Sequence, residues 1–423
     1  MCQGMSIEKI MNLKPYPKYK DSGIEWLGEV PEGWEVIRLR NTINYKKGKN
    51  PTTLFEDNLN NQYLPYLSMD YLRNSGDESH FVEKSKNTVI ANDGDILLLW
   101  DGSNAGEFIV SKNGAVSSTM AKIFPDKKLD KRFCFFLCKT IEPILREHTI
   151  GMGIPHVNAN ILKNIVCPSP LKNEQTAIAT FLDHKTAKID ELIKKNETLV
   201  ELLKEKRQAI ISHAVTKGLD PNANMKNSGV EWIGEIPQGW EVKRLKFNLQ
   251  LLTEKTDRRE NPVALENIES WLGEYKETES EFQGEGVAFE KGDILFGKLR
   301  PYLAKVWLAY FSGEAIGDFF VMRPSLDIDG RFAVYQILNK EFISIVDGST
   351  FGAKMPRVSW DFMANLRLPT PHIVEQHAIA DYIGRETGKI DATIQKILSQ
   401  IATLKEYRQT LISNVVTGKV RVL

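Results

Sequence analysis

Apolar side chains at alternating three- and four-residue intervals mark two long stretches of this sequence as helices. From Glu174 to Thr216 the stripe runs Ile178, Leu182, Ile189, Leu192, Leu199, Leu203 and Ile210, which places it on one helical face. Neither Pro nor Gly interrupts the stretch, and Ala, Leu, Glu, Lys and Gln fill much of it, residues that lose little on becoming helical. At about 1.5 Å per residue it forms a rod roughly 60 Å long. A rod of that length with one apolar side needs a second helix against it.

The same chain supplies one. Glu375, Gln376, Ala378, Ile379 and Ala380 repeat Glu174, Gln175, Ala177, Ile178 and Ala179. Lys389-Ile390-Asp391 repeats Lys188-Ile189-Asp190, and Arg408-Gln409 repeats Arg207-Gln208. The stripe returns at Ile379, Ile383, Ile390, Ile397, Leu404 and Leu411. Pairing the two helices within the chain is the simplest way to bury both seams.

A second repeat precedes each remaining part. Ser22-Gly23-Ile24-Glu25-Trp26-Leu27-Gly28-Glu29-Val30-Pro31-Glu32-Gly33-Trp34-Glu35-Val36 reappears, with most positions identical, from Ser228 to Val242. Such self-similarity is internal duplication. Its Gly and Pro predict turns, and its tryptophans anchors. Between lead-in and helix, short apolar runs alternate with turn residues: Tyr63 to Leu67, Thr88 to Ile90 and Asp95 to Trp100. These predict strands, followed by a helix near Lys131 to His148 and a loop Gly151-Met152-Gly153-Ile154-Pro155. The second part follows the same plan. Gly292-Asp293-Ile294-Leu295 echoes Gly94-Asp95-Ile96-Leu97, and a helix from Gly330 to Ile345 precedes Phe351-Gly352-Ala353-Lys354-Met355-Pro356. Elsewhere the two parts hardly match; Arg300-Pro301-Tyr302 has no sequence counterpart after Trp100. A kept frame with diverged loops suggests two related domains meeting different partners. If the halves share a pseudo-twofold axis, the chain ends should lie near each other.

Composition narrows the class. The 423 residues suffice for two or three domains. Hydrophobic residues at 42% and charged at 26% are ordinary for a soluble globular protein. No apolar run is long enough to span a bilayer, and the N-terminus shows no secretory signal. Four cysteines in so long a chain form no disulfide framework and suit a reducing, cytoplasmic setting. Cys134 and Cys138 share a helix face upstream of His148 and His156, but their apolar neighbours favour burial, so no metal site is assigned. Net charge is zero, which argues against a protein gripping nucleic acid alone through a broad basic field. A reader of bases whose partners supply positive charge remains open.

No nucleotide-binding or hydrolase motif is present. Asp95 and Asp293, each after Gly and before an apolar strand, read as turn residues, and no catalytic residue is assigned. Binding chemistry is better represented. The first domain's loops offer Lys46, Lys47, Lys49, Ser68, Tyr71, Arg73, Asn74, Trp100, Asp101, Ser103 and Asn104. The second offers Lys255, Arg258, Arg259, Lys298, Arg300, Tyr302, Lys305, Lys354, Arg357 and Ser359. Arg and Asn can make bidentate bonds to base edges, and Lys and Ser commonly hold phosphate.

With the two Gly-x-x-Pro-x-Gly-Trp lead-ins (Gly28 to Trp34, Gly234 to Trp240), the Gly-Asp-Ile-Leu strands and the Glu-Gln-x-Ala-Ile-Ala helix starts, the chain resembles the specificity subunits of type I restriction-modification systems over nearly its full length. The resemblance implies an α+β protein with a pseudo-twofold internal repeat: two related target recognition domains joined by two long helices paired as an antiparallel coiled coil. Its divisions are an N-terminal segment 1–35 completing a circular repeat, a first recognition domain 36–172, a central helical spacer 173–226, a second recognition domain with its lead-in 227–370, and a C-terminal helical spacer 371–423. Each domain would read one half of a bipartite, asymmetric site on double-stranded DNA, the helices setting the gap. The subunit would be non-catalytic. It would hold two methyltransferase (modification) subunits that methylate adenine with S-adenosylmethionine, and restriction subunits using ATP and Mg would join them. A coiled-coil scaffold binding proteins rather than DNA is the alternative reading.

Overall fold

The computed structural model of the chain describes residues 13–58, 63–73, 80–256, 260–278, 285–352 and 354–422. It divides into two compact units, Met1–Lys195 with Gln400–Leu423, and Asn196–Ser399. Both divisions fall inside the long helices, Lys172–Lys217 and Ile373–Val416, so each unit owns one globular part and a portion of each helix.

In the first unit an antiparallel sheet orders Ile43–Lys47, Met120–Pro125, Ile96–Leu99 and Phe108–Val110 side by side. The unbroken apolar run Ile96–Leu99 is buried along its whole length, as such a run must be to be stable. Helix Lys131–Glu147 starts where Asp130 accepts bonds from Arg132 N–H and Phe133 N–H, offsetting two of the orphan donors of a helix start. Its buried face holds Phe133, Phe136, Leu137, Thr140 and Ile141. Lys139 donates to Phe108 O at 2.8 Å and Glu142 accepts from Phe108 N–H at 2.7 Å, so the helix satisfies the edge strand. A second sheet orders Phe81–Val82, Leu64–Leu67, Gly114–Val116 and Ile90–Ala91, with its middle pair parallel.

The second unit repeats the first sheet strand for strand: Leu249–Leu252, Phe319–Pro324, Ile294–Gly297, Val306–Leu308. Its second sheet also holds one parallel pair, Pro262–Val263 with Gly313–Ile316. The extra edge strand, Lys255–Thr256, is added beside Gly286–Phe289, the opposite side from the extra strand of the first unit. One difference from the sequence reading lies in the helix expected over Gly330 to Ile345. It is two helices, Gly330–Ile337 and Lys340–Gly348, because Asn339 turns its side chain onto Glu341 N–H and Phe342 N–H and caps a new start.

Each lead-in is a short antiparallel pair, Tyr19–Asp21 with Glu29–Pro31 and Met225–Asn227 with Glu235–Pro237. Gly28 and Gly234 sit at φ 64° and 66°, a left-handed conformation that costs other residues energy. Trp34 and Trp240 are buried behind these turns.

Within the second unit, Ile211, Ala214 and Val215 of one long helix share a core with Ile379, Ala380 and Ile383 of the other, and Arg207 reaches Asp391. Residues rising along one helix meet residues falling along the other, so the pairing is antiparallel. The first unit shows the same sense: Asp190 pairs with Arg408, while Glu174 and Gly418 both lie against Trp34. The chain ends also join there, Arg421 N–H donating to Lys14 O at 2.8 Å and the Tyr19 hydroxyl to Lys419 O at 3.2 Å.

The seam differs in detail from the apolar stripe. Ile178, Leu182, Ile189, Ile379, Ile383, Ile390, Ile397 and Leu411 are buried, and Leu203, Ile210 and Leu404 are half-buried. Leu192 and Leu199 are exposed at 45% and 44%; Ile193 and Val200, one position on, take the buried places. The buried positions keep a 4-3 alternation only through polar residues, Thr186 and Arg207, which a reading by apolarity passes over.

Candidate nucleic-acid interface

The site in the first unit forms where strand Ile96–Leu99 ends. Trp100 N–H donates to Thr119 O at 2.8 Å, and Trp100 O accepts from Val157 N–H at 2.9 Å. These bonds fix the backbone on both sides, and Gly102 N–H adds a third to Pro155 O at 2.9 Å. The Trp100 ring lies against Tyr45, centroids 4.9 Å apart. Asp101 is bonded to Lys47 Nζ through one oxygen and to His156 Nδ1 through the other, both at 2.7 Å. Burial pushes its carboxyl up, but the Lys47 and His156 bonds outweigh that and hold it below the usual value.

The second unit builds the same backbone frame with other side chains. Lys298 N–H donates to Asp318 O at 2.8 Å, Lys298 O accepts from Val358 N–H at 3.1 Å, and Arg300 N–H donates to Pro356 O at 2.8 Å. Lys298 therefore stands where Trp100 does, Arg300 where Gly102 does, and Arg357 where His156 does. The carboxylate has moved: Leu299 replaces Asp101, and Asp318, in the place of Thr119, takes the Arg357 guanidinium in two bonds of 3.1 and 2.8 Å. Lys298 Nζ is 3.9 Å from the same carboxylate. Arg300, at φ 50°, is exposed beside them and makes no side-chain bond or ion pair among the described residues. Cations outnumber carboxylates here, the charge balance a phosphate-facing surface requires.

The structure thus gathers Lys47, Trp100 and Asp101 in one unit and Lys298, Arg300 and Arg357 in the other. Lys46, Lys49 and Ser103 are exposed near the first frame in sequence, and Tyr302 and Lys354 near the second. A separate group in the first unit joins Arg73 to Glu107 at 2.6 Å, Arg146 to Glu107 at 3.5 Å, and Lys112 Nζ to Tyr71 O at 2.6 Å. Several candidates serve the fold instead. Ser68 accepts from Tyr71 N–H, and Ser359 caps helix Trp360–Asn365. Lys305, its pKa lowered by burial, donates to Leu265 O at 2.5 Å. Asn104 is half-buried and accepts from Glu107 N–H through its carbonyl. Lys255 pairs with Glu285 at 3.0 Å on the surface. Asn74, Arg258 and Arg259 lie outside the described residues.

Three members of the frames were not among the binding residues expected from the sequence: Tyr45, His156 and Asp318. His156 had a signal, because Pro155-His156-Val157 parallels Pro356-Arg357-Val358. Asp95 and Asp293 do hold turns, accepting from Asn92 N–H and Glu290 N–H at 2.8 Å each, and both also take cations, Lys122 and Lys131 in one case and Arg323 in the other. Cys134, Cys138 and Cys167 are buried free thiols. Among the described residues no group of three or more His, Cys, Asp or Glu side chains is placed to hold a metal ion, and no helix is long and apolar enough to cross a membrane.

The family model for the type I restriction modification DNA specificity domain matches residues 31–202. The type I restriction enzyme MjaVIII specificity subunit of Methanocaldococcus jannaschii is 31% identical over 93% of this chain and 94% of its own length. The EcoDI specificity subunit of Escherichia coli is 21% identical over 93% and 90%. A chain from a solved structure described as the structural basis of complex assembly and conformational transition of the type I R-M system shares the fold, with a TM-score of 0.67 at 14% identity over 92% of this chain and 98% of that one. This chain belongs to the family of type I restriction-modification specificity subunits.

Proposed function

We propose that the chain is the DNA-reading subunit of a type I restriction-modification complex, each unit recognising one half of a bipartite, asymmetric site. The observation that carries this is the duplicated frame: one backbone scaffold presents Lys47, Trp100, Asp101 and His156 in one unit, and Lys298, Arg300, Arg357 and Asp318 in the other. A fixed frame with exchanged side chains is what reading two different half-sites requires. In this reading the chain does no chemistry. Two methyltransferase subunits assemble on it and methylate adenine with S-adenosylmethionine, and restriction subunits using ATP and Mg join them, in the cytoplasm. The neutral net charge fits a reader clamped onto DNA by such partners. The long helices act as the spacer, so the gap between half-sites follows their length, as dimer geometry sets it in other readers.

Mapping methylated adenines in the host genome tests this. With the chain present, methylation should fall on a two-part asymmetric sequence; deleting the chain should abolish it. Replacing residues 36–169 with the corresponding domain of another family member should change one half of the sequence only. Methylation unaffected by deletion would overturn the proposal, and a change in both halves would overturn the division of labour.

A further inference from the structure

Next to the first frame stands a short hairpin. Ile150 and His156 bond to each other through N–H and C=O in both directions, at 2.9 and 2.7 Å, and His156 also bridges to Asp101. Gly151 sits at φ 114°, and a Cβ there would meet Ile154 O at 2.5 Å, so the tip is tight and admits only glycine at that point. What the hairpin presents to solvent is apolar: Ile150 is 54% exposed, Ile154 60%, and Met152 fully. Exposed apolar side chains gathered on a held turn mark an interaction site. The second unit repeats the feature in different residues. Phe351 and Arg357 bond both ways at 3.1 and 3.0 Å, Gly352 sits at φ 95°, and Phe351 and Met355 are exposed. The loops around the two frames diverged, yet exposed apolar residues recur at the positions of Ile150 and Ile154.

We propose that the Ile150–His156 hairpin is a wedge that enters the stacked bases of duplex DNA, with Met152 and Ile154 sliding into a base step. The inference rests on the DNA-reading proposal and adds to it a site and a mode of contact. Continuity with the proposed DNA-reading frame selects DNA as the occupant. The hairpin's root is the frame itself: His156 is bonded to Asp101, which also takes Lys47 Nζ, and at the root of the corresponding loop Arg357 is bonded to Asp318 while Arg300 N–H donates to Pro356 O. Apolar wedges flanked by cations are how proteins kink a duplex: the side chain takes the place of a stacking partner while the cations hold the phosphates on either side. Met and Ile are suited to it, slender enough to enter a step and able to recover the buried area that unstacking exposes. The wedge reads how easily a step opens, which gives sequence preference without a hydrogen bond to a base.

The test uses the full chain assembled with its methyltransferase partner, on a duplex carrying the site found by methylation mapping. 2-Aminopurine replaces bases one at a time, avoiding the adenine that is methylated, since methyltransferases extrude their target. The wild-type complex should raise emission several-fold at one step of the half-site read by the first unit. Met152→Ser with Ile154→Ser should abolish that rise and weaken binding about tenfold, the scale expected for two apolar side chains left in water less the unstacking no longer incurred. Wild-type binding with no bright step would overturn the wedge, as would a double variant that keeps both the emission and the affinity. So would a double variant that loses its methyltransferase before any DNA is added, which would make the hairpin a protein contact. Failure of the wild-type complex to hold the duplex at all would overturn DNA reading itself.

Discussion

Arg207 grips Asp391 through its Nε, 3.0 and 3.1 Å from the two carboxylate oxygens, and spends its other nitrogens on Trp271 O at 2.9 Å and Leu272 O at 3.5 Å. The corresponding pair in the first unit, Arg408 with Asp190, has similar lengths of 2.8 and 3.1 Å but a different setting. Arg207 is 6% exposed in its side chain, Arg408 25% and Asp190 51%. Identical chemistry at repeated positions therefore has unequal energetic weight.

Arg207→Ala should cost about 1.5–3 kcal/mol, because loss of the buried guanidinium leaves two backbone carbonyls and an Asp391 carboxylate only 27% exposed without their partner. Arg408→Ala should cost under about 1 kcal/mol, its partner being free to hydrate. Urea unfolding of the two variants measures both. Equal losses would mean that burial does not control the pairs.

Asp95 supplies a pH-dependent contribution. Burial pushes its carboxyl up, but hydrogen bonds from Lys122 and Lys131 at 2.6 Å prevail and bring it down from 3.8 to about 2. A depressed carboxyl stabilises the fold fully above its unfolded value and loses that effect as pH falls toward the folded one. Asp95→Asn should therefore cost about 1.5–3 kcal/mol at pH 7, and the gap from wild type should close between about pH 4 and pH 2. Unfolding midpoints measured across that range check it.

Much of the architecture was legible in the residue pattern because it rests on periodicity and duplication. The helix expected from Glu174 to Thr216 is Lys172–Lys217, and the strand expected from Asp95 to Trp100 is Ile96–Leu99. Misreadings fell where one polar group decided the outcome. Asn339 ends one helix and begins the next by bonding to backbone N–H groups, a local competition invisible to a hydrophobic pattern. Leu192 and Leu199 drew attention for being apolar, while Thr186 and Arg207 hold the true seam. The frames were half legible. Lys47, Asp101 and Arg357 were named for their chemistry, but the exchange of Asp101 for Asp318 depends on which strands the sheet brings together, and sequence spacing carries no trace of that.

The tryptophans of the lead-ins offer a comparison inside one molecule. Trp34 Nε1 donates to Glu174 at 3.0 Å, and the Tyr16 hydroxyl donates to the same carboxylate at 2.6 Å. Trp240 is as deeply buried, at 2% exposure, yet among the described residues its Nε1 has no hydrogen-bond partner. Trp→Phe removes similar volume at both positions, so the cavity terms should nearly cancel. Trp34→Phe also forfeits a charge-assisted bond, whereas Trp240→Phe removes an unsatisfied donor. The first should be the more destabilising by about 1.5–3 kcal/mol, read from chemical unfolding.

His156 and Arg357 occupy one frame position in two units, and this gives the sharpest test of divided reading. Arg357→Ala should lower methylation of the site through its second half alone. Loss of a bidentate arginine contact is worth about 1–3 kcal/mol, or roughly ten- to a hundredfold in discrimination. It also bares Asp318, whose charge the guanidinium now covers at 2.8 Å, so binding should weaken for every sequence in addition. Asp318→Asn in the Arg357→Ala background removes that repulsion and should restore general affinity without restoring the preference. His156→Ala should act through the first half alone, and more mildly, since Lys47 still covers Asp101 at 2.7 Å. Competition among duplexes varied one half-site at a time, over a range of salt, separates lost preference from lost charge: preference changes between sequences, while charge changes the salt slope. If either variant altered discrimination in both halves, the two frames would be reading together, and the assignment of one half-site to each unit would fall.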